Sequence, residues 1–184
     1  MPAYAFIPRD AGDRPRPVTI PVPCMDGTGS REESAVTDEE VHQIALDMGL
    51  IFNDGDHEVA QRLVAPEFID YEAPEGSPRG PEAYANTARW MRGVWEDARW
   101  EIVDSFAKGD KATLRVIFSG RQVQDFMGVP ASGKRVRVQH IHIYRVADGK
   151  VVEHWAVRDD LELFRQLGAW DKPLMGAPKP VPTA

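Results

Sequence analysis

A single cysteine is all that these 184 residues contain, so no intramolecular disulfide can staple the fold. Cys24 lies in a Pro/Gly-rich stretch and reads as incidental rather than as a nucleophile. An excess of positive charge is also missing. The formal net charge of −7 argues against nucleic acid or an anionic membrane as partner. No apolar run approaches the roughly 18 residues that a membrane span needs. The N-terminus lacks a basic segment followed by a long apolar core, so no secretory leader is expected and a cytoplasmic location is. There is no internal repeat, no glycine-rich phosphate or nucleotide loop, and no Gly-x-Ser-x-Gly elbow. What is present is a 42% hydrophobic complement, enough for one domain with a real core.

Pattern divides the chain into three parts. Residues 1–36 are rich in Pro, Gly and charge without sustained period and read as an extended or disordered arm. Residues 171–184 form a Pro-rich tail, and residues 37–170 carry the periodic elements. Thr37 and Glu40 fit a capping box, followed at helical spacing by Val41, Ile44, Ala45, Met48, Ile51 and Phe52. A short helix is predicted from Asp56 to Val64, and a short strand from Phe68 to Tyr71. A third helix opens at Pro81 and carries Tyr84, Ala88, Met91 and Trp95 on one stripe. Strands follow over Trp100–Ala107 and Ala112–Val123. A last helix bears Leu161, Phe164 and Leu167 and stops at Gly168. Helices first and antiparallel strands later make an α+β domain, with the sheet curled around the helices.

The chemistry concentrates in a hairpin. Val136–Val146 and Val151–Val157 are rich in β-branched and aromatic residues, and Asp148-Gly149 between them is a two-residue turn signal. That turn pairs Val146 with Val151, Tyr144 with Glu153, His142 with Trp155, His140 with Val157 and Val138 with Asp159, all on one face. The opposite face then carries Ile141, Ile143, Val152 and Ala156, interleaved with Arg137, Arg145 and Arg158. A one-residue slip would instead bring His154 to His140 and His142 and remove Asp159.

Each candidate has a plain reading beside the functional one. Asp159 or Asp160 can simply cap the helix that begins at Leu161; two adjacent aspartates also allow Asp160 to cap while Asp159 faces a pocket. His140 and His142 can be hydrogen-bonded wall residues or donors to a substrate oxygen, and a His-x-His pair can begin a metal site, with Glu153 or Asp159 as a third ligand. Tyr144 and Trp155 suit a ring-shaped ligand or a core. Trp90, Met91 and Phe126 read as core or pocket wall.

In order and spacing, several short motifs over residues 37–168 resemble the SnoaL-like polyketide cyclases and ester cyclases of the NTF2-like superfamily. These are Phe52-Asn53-Asp54-Gly55-Asp56, Ala65-Pro66-Glu67-Phe68, Gly80-Pro81-Glu82, Gly109-Asp110, Phe126-Met127-Gly128-Val129-Pro130, Gly133-Lys134, His142-Ile143-Tyr144-Arg145-Val146, Asp148-Gly149-Lys150, Glu153-His154-Trp155, Asp159 and Gln166-Leu167-Gly168. The resemblance implies a cone-shaped fold with a deep pocket and, for its cyclases, acid–base chemistry without cofactor or metal. It implies Asp159 as the general acid/base. Two positions depart from the pattern: Gly120-Arg121-Gln122 stands where many relatives carry Gly-Thr-His, and Tyr71 where many carry histidine.

The expectation is therefore a cofactor-free enzyme of secondary metabolism that closes a ring in a carbonyl-rich or polycyclic substrate by an intramolecular aldol reaction. Asp159 would abstract the proton, and His142, with His140 or Tyr144, would hold the developing enolate oxygen. Tyr144, Trp155, Glu153, Tyr71, Gln122, Phe126, Trp90 and Met91 would contact the substrate. The rivals are hydration, dehydration, isomerisation, epoxide hydrolysis or cofactor-free hydroxylation on the same scaffold, and a non-catalytic binding or interaction module. The second apolar sheet face predicts a homodimer, with the N-terminal arm as the alternative cover.

Overall fold

A capping box starts the first described helix, as its sequence predicts: Thr37 Oγ1 accepts from the Glu40 N–H, and the Glu40 carboxylate accepts from the Thr37 N–H. The computed structural model describes residues 36–170. The predicted arm (Val36 apart), the tail and Cys24 lie outside the described residues. Helix α1 (Asp38–Asn53) buries Val41, Ala45, Met48 and Ile51. Helix α2 (His57–Leu63) is capped by the Asp56 carboxylate and leads directly into β1 (Val64–Asp70). Helix α3 (Gly80–Val94) follows, then β2 (Trp95–Lys108), β3 (Lys111–Gln122), β4 (Arg135–Ala147), β5 (Lys150–Arg158) and α4 (Asp160–Leu167).

The five strands form one sheet in the order β1-β5-β4-β3-β2. Pairing is antiparallel from β2 to β5, while β1 joins β5 in parallel. Two register shifts in β2, between Glu96 and Arg99 and between Ile102 and Asp104, bend the strand. The sheet curves around α1 and α3, which pack on its concave face, and this is the NTF2-like cone. Phe118, Leu114, Val138, Met48, Ile51 and Trp95 are sealed in the layer between. At the start of α3, Gly80 has φ +85°, and a Cβ there would lie 2.9 Å from the Pro66 carbonyl oxygen. Only glycine fits a turn that brings α3 so close to β1.

The hairpin corrects the predicted register. Asp148 and Gly149 do form the two-residue turn, both at positive φ, and Val146 pairs with Val151. One step further a bulge intervenes, so Arg145 pairs with Glu153, Tyr144 with His154, Ile143 with Trp155, His142 with Ala156 and His140 with Arg158. His154 thus joins the concave face, and Glu153, Trp155 and Val157 move to the convex one. The bulge has clear local rewards. Val151 and Val152 are both buried, which strict alternation forbids. On the convex side Trp155 stacks on Tyr71 at 5.1 Å and 7°, and the Glu153 carboxylate accepts from Arg145 and from the Tyr71 hydroxyl. The apolar convex stripe is therefore Ile141, Ile143, Trp155 and Val157 with Tyr71, and no longer includes Val152, Ala156 or Arg158.

Candidate active site

The bulge places His154 beside the end of β1. Its Nδ1 lies 2.9 Å from Asp70 Oδ1, and its Nε2 lies 2.9 Å from His142 Nδ1. Asp70 Oδ1 also accepts from the Glu72 N–H at 3.0 Å, which fixes that oxygen as an acceptor. Burial alone would raise the Asp70 pKa, but the His154 hydrogen bond and charge, the Glu72 amide and Arg158 outweigh it, and the group is held below its ordinary value. Asp70 is a carboxylate at neutral pH, so His154 Nδ1 carries a proton and donates. In the tautomer in which His142 Nδ1 donates to His154 Nε2, the chain of donors runs from His142 through His154 to Asp70. The remaining nitrogen, His142 Nε2, is left with its lone pair. It has no partner among the described residues and is not sealed.

Desolvation, and then the neighbouring His154, His140 and Arg158, push the His142 pKa well below the usual histidine value. His142 is therefore neutral at working pH. It lines a small cavity that opens to solvent. Helix α1 supplies Met48, Gly49 and Phe52, α3 supplies Tyr84, β2 supplies Trp100 and Ile102, β3 supplies Leu114 and Val116, and β4 supplies His142 and Tyr144. The cavity's titratable groups are His142, Tyr84 and Tyr144, set in an otherwise apolar and aromatic wall.

The other predicted site residues go elsewhere. Asp159 is exposed, and its carboxylate accepts from the Glu162 N–H at 3.1 Å, so it is the N-cap of α4. It does not share a face with the histidines, because the bulge has shifted the strand by one residue. Asp160, predicted as the alternative cap, is instead the first residue of α4. His140 is on the predicted face but stacks on Phe118 at 5.6 Å, its Nδ1 sealed and unpartnered among the described residues. Burial, then Arg158, lowers its pKa to about 3. Gln122 is fully buried and pins the following loop through Val129 O and Ser132. Phe126 packs between Trp90 and Trp95. Trp90 is half exposed, and Met91 packs against the core. Tyr71, Trp155 and Glu153 form the convex cluster. None of these lines the cavity, whereas His142 and Tyr144 do. Among the described residues, no three side chains of ligating type are grouped so as to hold a metal ion.

Sequence reasoning missed Asp70 and Tyr84, and reached His154 only through the alternative, slipped register. Asp70 ends the short strand before Tyr71, and a lone carboxylate there carries no local signal. Tyr84 was visible only as one member of a helical apolar stripe.

A curved sheet wrapped around helices, with an aromatic-walled cavity between them, belongs to the class of NTF2-like folds. The profile of the SnoaL-like polyketide cyclases matches residues 42–167, and the chain belongs to that family. It is similar to the aklanonic acid methyl ester cyclase DauD of Streptomyces sp. (strain C5), at 32% identity over 135 residues, covering 71% of this chain and 84% of that one. It is also similar to the nogalonic acid methyl ester cyclase of Streptomyces nogalater, at 29% identity over 64% of this chain and 89% of that one. Among solved structures, TsrD from Streptomyces laurentii superposes with a TM-score of 0.67 and 34% identity, covering 73% of this chain and 98% of that one.

Proposed function

We propose that this protein is a cofactor-free acid–base enzyme of secondary metabolism that closes a ring in a polyketide-type substrate by an intramolecular aldol reaction. The observation that carries the reading is the hydrogen-bonded Asp70–His154–His142 chain, which ends with His142 at an apolar cavity. The base in this reading is His142 rather than Asp159, whose carboxylate is committed to the α4 cap.

His142 Nε2 removes a proton from a carbon flanked by carbonyls. The charge it acquires is passed through the hydrogen bonds toward the Asp70 carboxylate, which stabilises the imidazolium. The carbanion attacks a second carbonyl of the same molecule, forming the new C–C bond. The resulting alkoxide recovers the proton from His142. Substrate and product are isomers, and nothing besides the protein is consumed. A positioned base contributes about 10²–10⁴-fold, and folding a flexible chain into a reactive shape contributes more.

The relatives named for aklanonic and nogalonic acid methyl esters supply the first substrates to try. Incubation with each ester should give a ring-closed product of unchanged mass and altered retention. His142→Ala should abolish it, and Asp159→Asn should not. Binding of both esters without conversion, in protein that is otherwise folded, would favour the binding-module reading instead.

A further inference from the structure

The cavity holds a feature that the base does not use. Tyr84 of α3 and Tyr144 of β4 meet with their hydroxyl oxygens 3.1 Å apart, and both side chains are about nineteen-twentieths buried, at 4% and 5% exposure. Two hydroxyls carry two protons. One proton forms the bond between them, and the other has no acceptor among the described residues. A phenolic O–H facing an apolar cavity without an acceptor is costly unless a ligand supplies one.

We propose that the Tyr84–Tyr144 pair is a preorganised donor for the carbonyl oxygen of a planar, enolisable ring ketone, and that Tyr144 makes the contact while Tyr84 supports it. This rests on the acid–base reading of the cavity given above. Tyr144 lies two residues from His142 on the same strand face, with the rings nearly parallel and their centroids 6.3 Å apart. A substrate carbon presented to His142 Nε2 can therefore place its adjacent carbonyl oxygen on the tyrosine. When the C–H bond breaks, the proton goes to His142, and the electron pair moves onto that oxygen. The hydroxyl keeps its proton and strengthens its hydrogen bond as the charge develops.

Position assigns the order within the pair. Tyr144 shares its strand and face with His142, whereas Tyr84 reaches the pair from α3, so Tyr84 donates to Tyr144 and the Tyr144 proton is the one offered beside the base. Burial raises both, which keeps both groups protonated donors rather than bases. Neither ring is free to swing. Tyr84 is wedged edge-on between Phe52 and Phe68 at 5.3 and 5.2 Å, and Tyr144 lies on His154 at 4.8 Å. Donors locked in this way pay no reorganisation at the moment of reaction.

The test uses 2-tetralone, a fused-ring ketone with an acidic C–H, beside tetralin, the same skeleton without the oxygen. Binding of both to the full chain is measured by calorimetry, and exchange of the acidic C–H in D₂O by NMR. The wild type should bind 2-tetralone about fivefold or more tighter than tetralin, the effect of one added hydrogen bond. Tyr144→Phe should erase that preference without weakening tetralin, and should slow exchange by about 10²-fold. Tyr84→Phe should reduce both effects by less, since the Tyr144 proton remains but is no longer polarised. Both replacements keep the ring, and melting curves verify the fold. If Tyr144→Phe and the double Phe variant keep the preference and the exchange rate, the donor pair is wrong, as it is if the wild type shows no preference. Failure of the base reading looks different: His142→Ala would then leave exchange intact, whereas its expected result is lost exchange with the binding preference kept.

Discussion

Replacing Asp70 by Asn removes one charge and very little else. Asp70 Oδ1 accepts both from His154 Nδ1 and from the Glu72 N–H. An Asn carbonyl oxygen held in that place by the same two donors keeps the tautomers of His154 and His142 as they are. What disappears is the negative charge that the protonated chain leans on. A hydrogen bond to a charged group is worth about 1.5–3 kcal/mol, against about 0.5–1.5 for a neutral one. At about 1.36 kcal/mol per tenfold, the missing 1–2 kcal/mol lowers turnover by roughly 5- to 30-fold. Asp70→Ala removes the orienting acceptor as well and costs more than Asp70→Asn. The pH profile gives a second readout. A carboxylate raises the proton affinity of the histidines it faces, so its loss shifts the acid limb of the profile to lower pH even as the maximum rate falls. The assay is ring closure on the esters named above, or exchange of 2-tetralone, from pH 5 to 8. Asp70→Asn with wild-type turnover and an unmoved acid limb would refute the reasoning.

Acid should unfold the protein through its buried histidines. The folded-state pKa of His140, about 3, lies below the unfolded value near 6.5, so its contribution is fully present above pH 6.5 and is lost as pH falls toward 3. The slope is about 1.4 kcal/mol per pH unit. Urea melts of wild type and His140→Phe at pH 6.5 and 4 should therefore differ in their acid loss by roughly 3 kcal/mol; equal losses would contradict the assignment. Asp159→Ala should cost about 0.5–2 kcal/mol as a lost cap, with Asp159→Asn nearly neutral and both within threefold of wild-type turnover. A rate collapse in Asp159→Asn would restore it as the base. Light scattering should show a homodimer formed through the convex stripe, where Val157 is 74% exposed, and Val157→Asp should give a monomer; a monomer at micromolar concentration both with and without residues 1–36 would refute the interface, and a dimer that appears only without residues 1–36 would show the arm to be the cover.

The elements were legible because local rules governed them. The Thr37 capping box, Pro81 in the first turn of α3, the Asp148-Gly149 turn and Gly168 at φ +81° after α4 each follow from residues within one turn of each other. The site was not legible for a related reason. Alternation from a correctly placed turn gives the wrong face once a bulge adds one residue, and the energy of this bulge comes from contacts between distant segments. Asp70 with His154 and Tyr71 with Trp155 are each separated by 84 residues. No window of the hairpin contains them. The alternative register, with His154 beside His142 and Asp159 absent, was visible as a slip, yet it arises from the strand rather than the turn. Asp159 illustrates the same limit: its motif position suggested chemistry, while the helix that starts beside it claimed its oxygen.

The central claim is that the Asp70–His154 pair leaves His142 Nε2 unprotonated at the cavity. Long-range ¹H–¹⁵N spectra of the imidazole side chains at neutral pH read this directly, with His142→Gln assigning the resonance. The account predicts His142 protonated at Nδ1 and bare at Nε2, a tautomer retained in Asp70→Asn. A His142 ring protonated at Nε2 at that pH would contradict it.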